Sequence, residues 1–131
     1  MKTNIALLIE QSVNVIDSLN KGLRLTHKEQ QFFCEHFERE EIKKNEFTIR
    51  IGDYEKYLYF IESGILRYWT AQEYGDPDKE VTFWFSFPGE FANSYFSLKE
   101  NQPSLIHIQA LTDCVIWKLS KQDLADLYQT S

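Results

Sequence analysis

Apolar positions repeat with a helical period at the start of the chain. Ile5, Leu8, Ile9, Val13, Ile16 and Leu19 predict a helix over residues 3–20, closed by Gly22. Thr26-His27-Lys28-Glu29 reads as a capping box. The helix it opens carries Phe32, Phe33 and Phe37 on one side. The charged run from Glu38 to Glu46 has mixed sign and reads as a solvated helix end and turn. At Phe47 the period becomes two, with Phe47, Ile49 and Ile51 alternating against Thr48 and Arg50, and Gly52-Asp53 closes that strand. Residues 57–61 make a second strand, Ser63-Gly64 a tight turn and residues 65–70 a third strand, which together predict a hairpin. A longer polar turn at 75–78 leads to a strand over 81–87, the most aromatic run in the sequence.

That strand stops at Pro88-Gly89, a turn dipeptide. A short segment from Asn93 to Leu98 follows, opening with small polar residues. It predicts a short helix near 93–98, set between two strands. Alternation resumes over 105–111, Asp113 marks a turn, and 114–119 is a sixth strand. Ser120 then caps a last helix with Asp123 in its first turn. The pattern predicts a mainly β protein: an antiparallel β-roll or jelly roll (a double-stranded β-helix) over 47–119, with flanking N- and C-terminal helices.

Composition narrows the functional classes. A chain of 131 residues suits one domain. Ten Phe, seven Tyr and three Trp suit a β-rich core, with an aromatic ligand cage as the competing reading. A net charge of −6 argues against binding nucleic acid through a basic face. The two cysteines, Cys34 and Cys114, are too few for a disulfide framework or an iron–sulfur cluster and read as unlinked thiols of a reducing cytoplasm. The longest uninterrupted apolar run, Ile5 to Ile9, is too short for a membrane span or a secretory signal, so the expected location is cytoplasmic with no membrane partner. The three histidines, His27, His36 and His107, form no ligand pair, so no metal and no other cofactor is expected. No serine stands in a nucleophile elbow and no carboxylate pair has a reason to differ in pKa, so the chain is not read as an enzyme.

The turn punctuation is the most specific signal. Ile51-Gly52-Asp53, Leu58-Tyr59-Phe60-Ile61 followed by Ser63-Gly64, Gly75, and Phe87-Pro88-Gly89-Glu90-Phe91 fall at the spacings of one known pattern. Over roughly 26–131 the sequence resembles the cyclic-nucleotide-binding domain of the bacterial Crp/Fnr transcription regulators. Residues 1–25 are then a separate N-terminal helix. The resemblance implies a β-roll enclosing a short helix, the phosphate-binding cassette, whose amides face a cyclic phosphate. It also implies that a dimerisation helix and a winged helix-turn-helix, absent from this chain, supply DNA binding and homodimer formation in a longer form. The pocket it implies is lined by Gly89, Glu90, Phe91, Asn93, Ser94, Tyr95, Ser97, Ser104 and Leu105.

Two substitutions alter that pocket. The Gly-Glu pair that holds the ribose in cAMP-binding members aligns with Asn93-Ser94, and the phosphate-binding Arg-Ser pair aligns with Ser104-Leu105. The expected function is therefore ligand sensing, with an unidentified small-molecule effector as partner and without cAMP binding. The alternatives are a ligand-free interaction or dimerisation module on the same fold and, given clustered inward His or Glu, a cupin-type enzyme. Glu90 could cap the cassette helix rather than touch a ligand, and His107 reads as half-exposed on a strand that borders the cassette.

Overall fold

The computed structural model describes residues 35–72, 75–76 and 78–130. The helix expected over 3–20, most of the one expected after Thr26, and Cys34 lie outside the described residues. Among the described residues eight strands and two helices follow in order: β1 (Glu38–Ile42), β2 (Phe47–Ile49), β3 (Tyr57–Ser63), β4 (Leu66–Ala71), β5 (Glu80–Ser86), β6 (Phe91–Ala92), α1 (Tyr95–Glu100), β7 (His107–Ala110), β8 (Cys114–Ser120) and α2 (Lys121–Thr130). They form two four-stranded antiparallel sheets of order β1-β8-β3-β6 and β2-β7-β4-β5. The sheets face each other without closing into a barrel, which is the expected roll.

The core between the sheets draws on both. Tyr59 and Ile61 of β3, Leu66 and Tyr68 of β4, Ile108 of β7 and Ile116 of β8 are buried together. These are alternate positions along each strand, as a pleated sheet with one inward face requires. The opposite face of the first sheet is also covered: Phe60, Trp117 and Leu119 are buried, and α2 packs on β3 and β8.

Three expectations are corrected. The charged run is not a helix end; its first half is β1, paired with β8 from Glu38↔Lys118 to Ile42↔Cys114. Only Ile42 is buried, so no alternation marks the strand. Pairing with β8, an Arg39–Glu41 bridge at 3.1 Å and a Lys118–Glu40 bridge at 3.3 Å accommodate its charges instead. The second half is a turn in which Asn45 takes φ 77° and the Glu46 carboxylate accepts the Lys43 N–H at 2.7 Å. Secondly, β3 and β4 are not a hairpin, because they belong to different sheets. Gly64, at φ 90°, carries the chain from one sheet to the other. A Cβ there would lie 2.5 Å from both the Asp113 carbonyl oxygen and Cys114 Sγ, so the crossing passes hard against β8. Thirdly, the aromatics read together as a β-rich core are divided: Phe37, Tyr59, Phe60, Tyr68 and Trp117 are buried, whereas the run over 81–87 is not. β5 is an edge strand whose only buried residue is Ser86, and Phe83, Trp84 and Phe85 are exposed.

Candidate functional site

A short helix forms close to where the sequence places it, at Tyr95–Glu100 instead of 93–98. The chain leaves β5 through Pro88-Gly89, where the Glu90 carboxylate accepts the Phe87 N–H at 2.6 Å. Glu90 thus closes the turn and does not cap α1. Gly89 donates to the Ile61 carbonyl and the Glu90 carbonyl accepts from Ile61, which ties the turn to β3. The six-residue α1 follows, with Ser94 at its N-cap and the first intrahelical bond from Leu98 to the Ser94 carbonyl at 2.9 Å. Asn101, at φ 54°, ends it.

Three of the expected pocket residues come together in the interior. Ser94, Ser97 and Ser104 are each 1% exposed. Ser94 Oγ and Ser104 Oγ are 2.8 Å apart; Ser104 Oγ also donates to the Ile106 carbonyl at 2.8 Å and accepts the Ile106 N–H at 3.2 Å. Asn93 is half-buried, and its backbone lies against the Tyr68 hydroxyl, which in turn bonds Ser86 Oγ at 2.9 Å. The other expected residues are elsewhere. Phe91 packs edge-on against Phe60 at 5.2 Å, in the scaffold. Tyr95 is 65% and Leu105 63% exposed, and Glu90 is exposed. Lys99 lies over the Tyr95 ring at 5.6 Å on the outside of α1. His107 is half-exposed, as expected: its ring is 4.3 Å from Trp69 and 5.5 Å from Phe47, and Nδ1 accepts the Ile51 N–H at 3.1 Å. Burial there, then the Arg50 charge, hold its pKa below 6.5.

The residue that organises this interior is Glu55, which the sequence did not single out. It lies in the loop between β2 and β3 and is only 4% exposed. Its Oε2 accepts the Ser94 N–H at 2.9 Å, while its own N–H donates to Ser97 Oγ at 2.8 Å. The same loop is bound to the residue that follows the cassette, since Gly52 donates to the Ser104 carbonyl and Ser104 donates to the Asp53 carbonyl. Among the described residues no Lys, Arg or His forms an ion pair with Glu55. Burial therefore dominates and raises its pKa from 4.5 to about 7, against the lowering effect of the Ser94, Tyr57 and Lys56 amides. Nothing in a Gly-Asp-Tyr-Glu loop distinguishes a buried carboxylate from a solvated one before the sheets are assembled.

A cavity of about 390 Å³ adjoins this network, lined by Ile49, Asp53, Tyr54, Glu55, Tyr57 and Tyr59 among others. Burial and the Glu55 charge raise the Tyr59 pKa well above that of a free phenol, so its hydroxyl stays a donor. A second, apolar cavity of about 310 Å³ separates α1 from α2 at Tyr95, Leu98, Lys121 and Leu124. Among the described residues no cluster of His, Cys, Asp and Glu could hold a metal ion, and no helix is long and apolar enough to cross a membrane.

This architecture has relatives of known structure. The Thermus thermophilus catabolite activator protein superposes with a TM-score of 0.69 at 23% identity, over 81% of this chain and 48% of that one. The regulatory domain of Toxoplasma gondii protein kinase A, solved with cAMP, gives 0.76 at 18% identity, over 95% and 44%. The sensor domain of the transcriptional regulator DNR from Pseudomonas aeruginosa gives 0.68 at 13% identity, over 80% and 68%. This chain thus spans less than half the length of the first two. No curated protein matches it in sequence. At these identities the superpositions establish the fold alone. The family model for the cyclic nucleotide-binding domain matches residues 39–131, from β1 through α2, and the chain belongs to that family.

Proposed function

We propose that this chain is the ligand-sensing regulatory domain of a Crp/Fnr-like transcription regulator, and that it does not take cAMP or cGMP. The family is one of regulatory, ligand-binding domains, which agrees with a non-catalytic role. The observation that carries the second half is the position of Glu55. Its carboxylate already holds the Ser94 amide, so a cyclic phosphate brought to the cassette meets a carboxylate and, among the described residues, no buried cation. The hydroxyl of Ser104, at the position where the resemblance implies an Arg, is engaged by Ser94 and Ile106. The amides at the start of α1 remain, but a helix end contributes only about 0.3–2 kcal/mol to an anion.

The magnitude supports this reading. A charge-assisted hydrogen bond contributes about 1.5–3 kcal/mol. Loss of the phosphate and ribose contacts together weakens binding by roughly two to four decades, at about 1.4 kcal/mol per decade. Isothermal titration with cAMP and cGMP is expected to show no dissociation constant tighter than about 10 μM. A tighter value for either nucleotide would mean that another group supplies the missing positive charge.

In this reading residues 26–131 are the sensor and 1–25 a preceding helix. An effector acts by population shift, favouring one arrangement of α1 and α2 and so of whatever follows α2. DNA contact and dimerisation belong to segments beyond this domain. One observation favours the alternative of a ligand-free interaction module: the three cassette serines are closed off from solvent by their own hydrogen bonds. The two readings part on whether the adjoining cavity binds anything.

A further inference from the structure

We propose that the cavity beside Glu55 is a binding site for a small organic cation, an amine or guanidinium compound, with the Glu55 carboxylate as its counter-ion. This deepens the ligand-sensing reading by naming the class of effector, and it places the effector beside the cassette rather than within it.

Three features of the cavity point to a cation. First, its lining includes Glu55, only 4% exposed, whose carboxylate is held by backbone amides and by no cation among the described residues. Isolated buried charge is costly, and a positive charge brought alongside removes that cost. Secondly, a second carboxylate, Asp53, and three phenol rings, Tyr54, Tyr57 and Tyr59, line the same space. Aromatic faces attract ammonium and guanidinium groups. One of these rings already does so within the chain: Lys118 Nζ lies 4.7 Å from the centre of the Tyr57 ring. Thirdly, the volume of about 390 Å³ lies in the range of small-ligand pockets. One cation, Lys56, also lines the cavity, but it is exposed and outnumbered by the two carboxylates, so the balance of charge favours an amine over a phosphate.

The same residue connects the site to the cassette. Glu55 holds the first amide of the α1 turn through its carboxylate and Ser97 through its backbone N–H. An ammonium group that draws on the carboxylate competes with Ser94 for it, and α1 carries Leu98 and Tyr95 into the groove against α2. Occupancy of the cavity is thereby coupled to the position of the C-terminal helix.

The test uses putrescine, agmatine, ethylamine and choline as probes, with butane-1,4-diol as the uncharged partner of putrescine. Binding is read as amide shifts in heteronuclear NMR spectra at pH 8 of the full 131-residue chain. At least one cation is expected to shift amides of residues 48–59 and of α1 in a saturable way, while the diol does not. Glu55→Gln is expected to weaken that binding by about tenfold or more, the equivalent of one lost charge-assisted bond. Tyr54 is exposed, so Tyr54→Ala leaves the fold intact and is expected to cost about two- to fivefold through the lost ring face. No saturable shift with any of the four cations up to 10 mM (about the weak end of small-ligand affinity) overturns the proposal. So does equal binding of the diol, or undiminished binding to both variants. Titration with cAMP is independent of these outcomes: tight cAMP binding refutes the nucleotide-blind reading alone, and absent amine binding refutes this site alone.

Discussion

Replacing Glu55 by Gln should flatten a fall in stability that the wild-type protein shows between mildly acidic and mildly alkaline pH. The carboxyl has its ordinary pKa of 4.5 in the unfolded chain and about 7 in the fold. The folded state therefore binds the proton more tightly, and stability falls as pH rises wherever the folded state holds more protons. The stabilisation is fully present below about pH 4.5 and is lost as pH rises through about 7. At about 1.4 kcal/mol per pH unit the loss totals about 3 kcal/mol, of which about 2.5 falls between pH 5 and pH 8. No discount for solvent screening applies, because Glu55 is 4% exposed. Gln keeps an oxygen to accept the Ser94 N–H and carries no charge at any pH. Urea denaturation followed by tryptophan fluorescence at several pH values measures both proteins. The stability of Glu55→Gln minus that of the wild type is expected to grow by about 2–3 kcal/mol from pH 5 to pH 8. His107, whose pKa is lowered, contributes the opposite slope below 6.5, but it does so in both proteins and cancels in the difference. Parallel stability curves would refute the reasoning, since they would mean that Glu55 is hydrated or paired with a cation in solution.

The remaining predictions concern the scaffold around this group. Gly64→Ala should destabilise by at least about 2 kcal/mol, because left-handed strain and a backbone clash add. Gly52→Ala, also at positive φ but with nothing within 4 Å, should cost about 1–2 kcal/mol in the same urea experiment, and equal losses would contradict the crowded crossing. Ser104→Ala leaves the Ser94 hydroxyl and the Ile106 N–H short of a partner in the interior and should cost about 1–3 kcal/mol. A loss below about 0.5 kcal/mol would mean that the serine cluster is hydrated. The His107 imidazole should titrate below pH 6.5 by NMR, and a midpoint above that value would contradict its wedging between Trp69 and Phe47.

Much of this protein is determined locally. The period-two runs become strands because a pleated backbone sends alternate side chains to opposite faces, and the apolar set needs one buried face. The φ values of Gly52, Gly64, Gly75 and Gly89, all between 89° and 95°, explain why glycines punctuate those runs and why the family pattern was legible at all. Ser120 was readable as a helix cap, and its Oγ accepts the Asp123 N–H at 3.1 Å.

What the local pattern could not decide is which strands share a sheet. β3 and β4 are neighbours in sequence and both apolar, so only the approach of Gly64 to β8 separates a crossing from a hairpin. β1 is legible only through its partner, because a strand with one buried residue has no period. The aromatic residues of β5 satisfy every local criterion for a core strand, yet the strand lies at a sheet edge, where burial depends on what lies beside it. The candidate site follows the same rule. The serines were legible from their place in the cassette pattern, whereas Glu55 lies 39 residues before Ser94 in sequence. Packing alone brings its carboxylate to that amide, and the same packing removes the water that would have left it an ordinary surface acid.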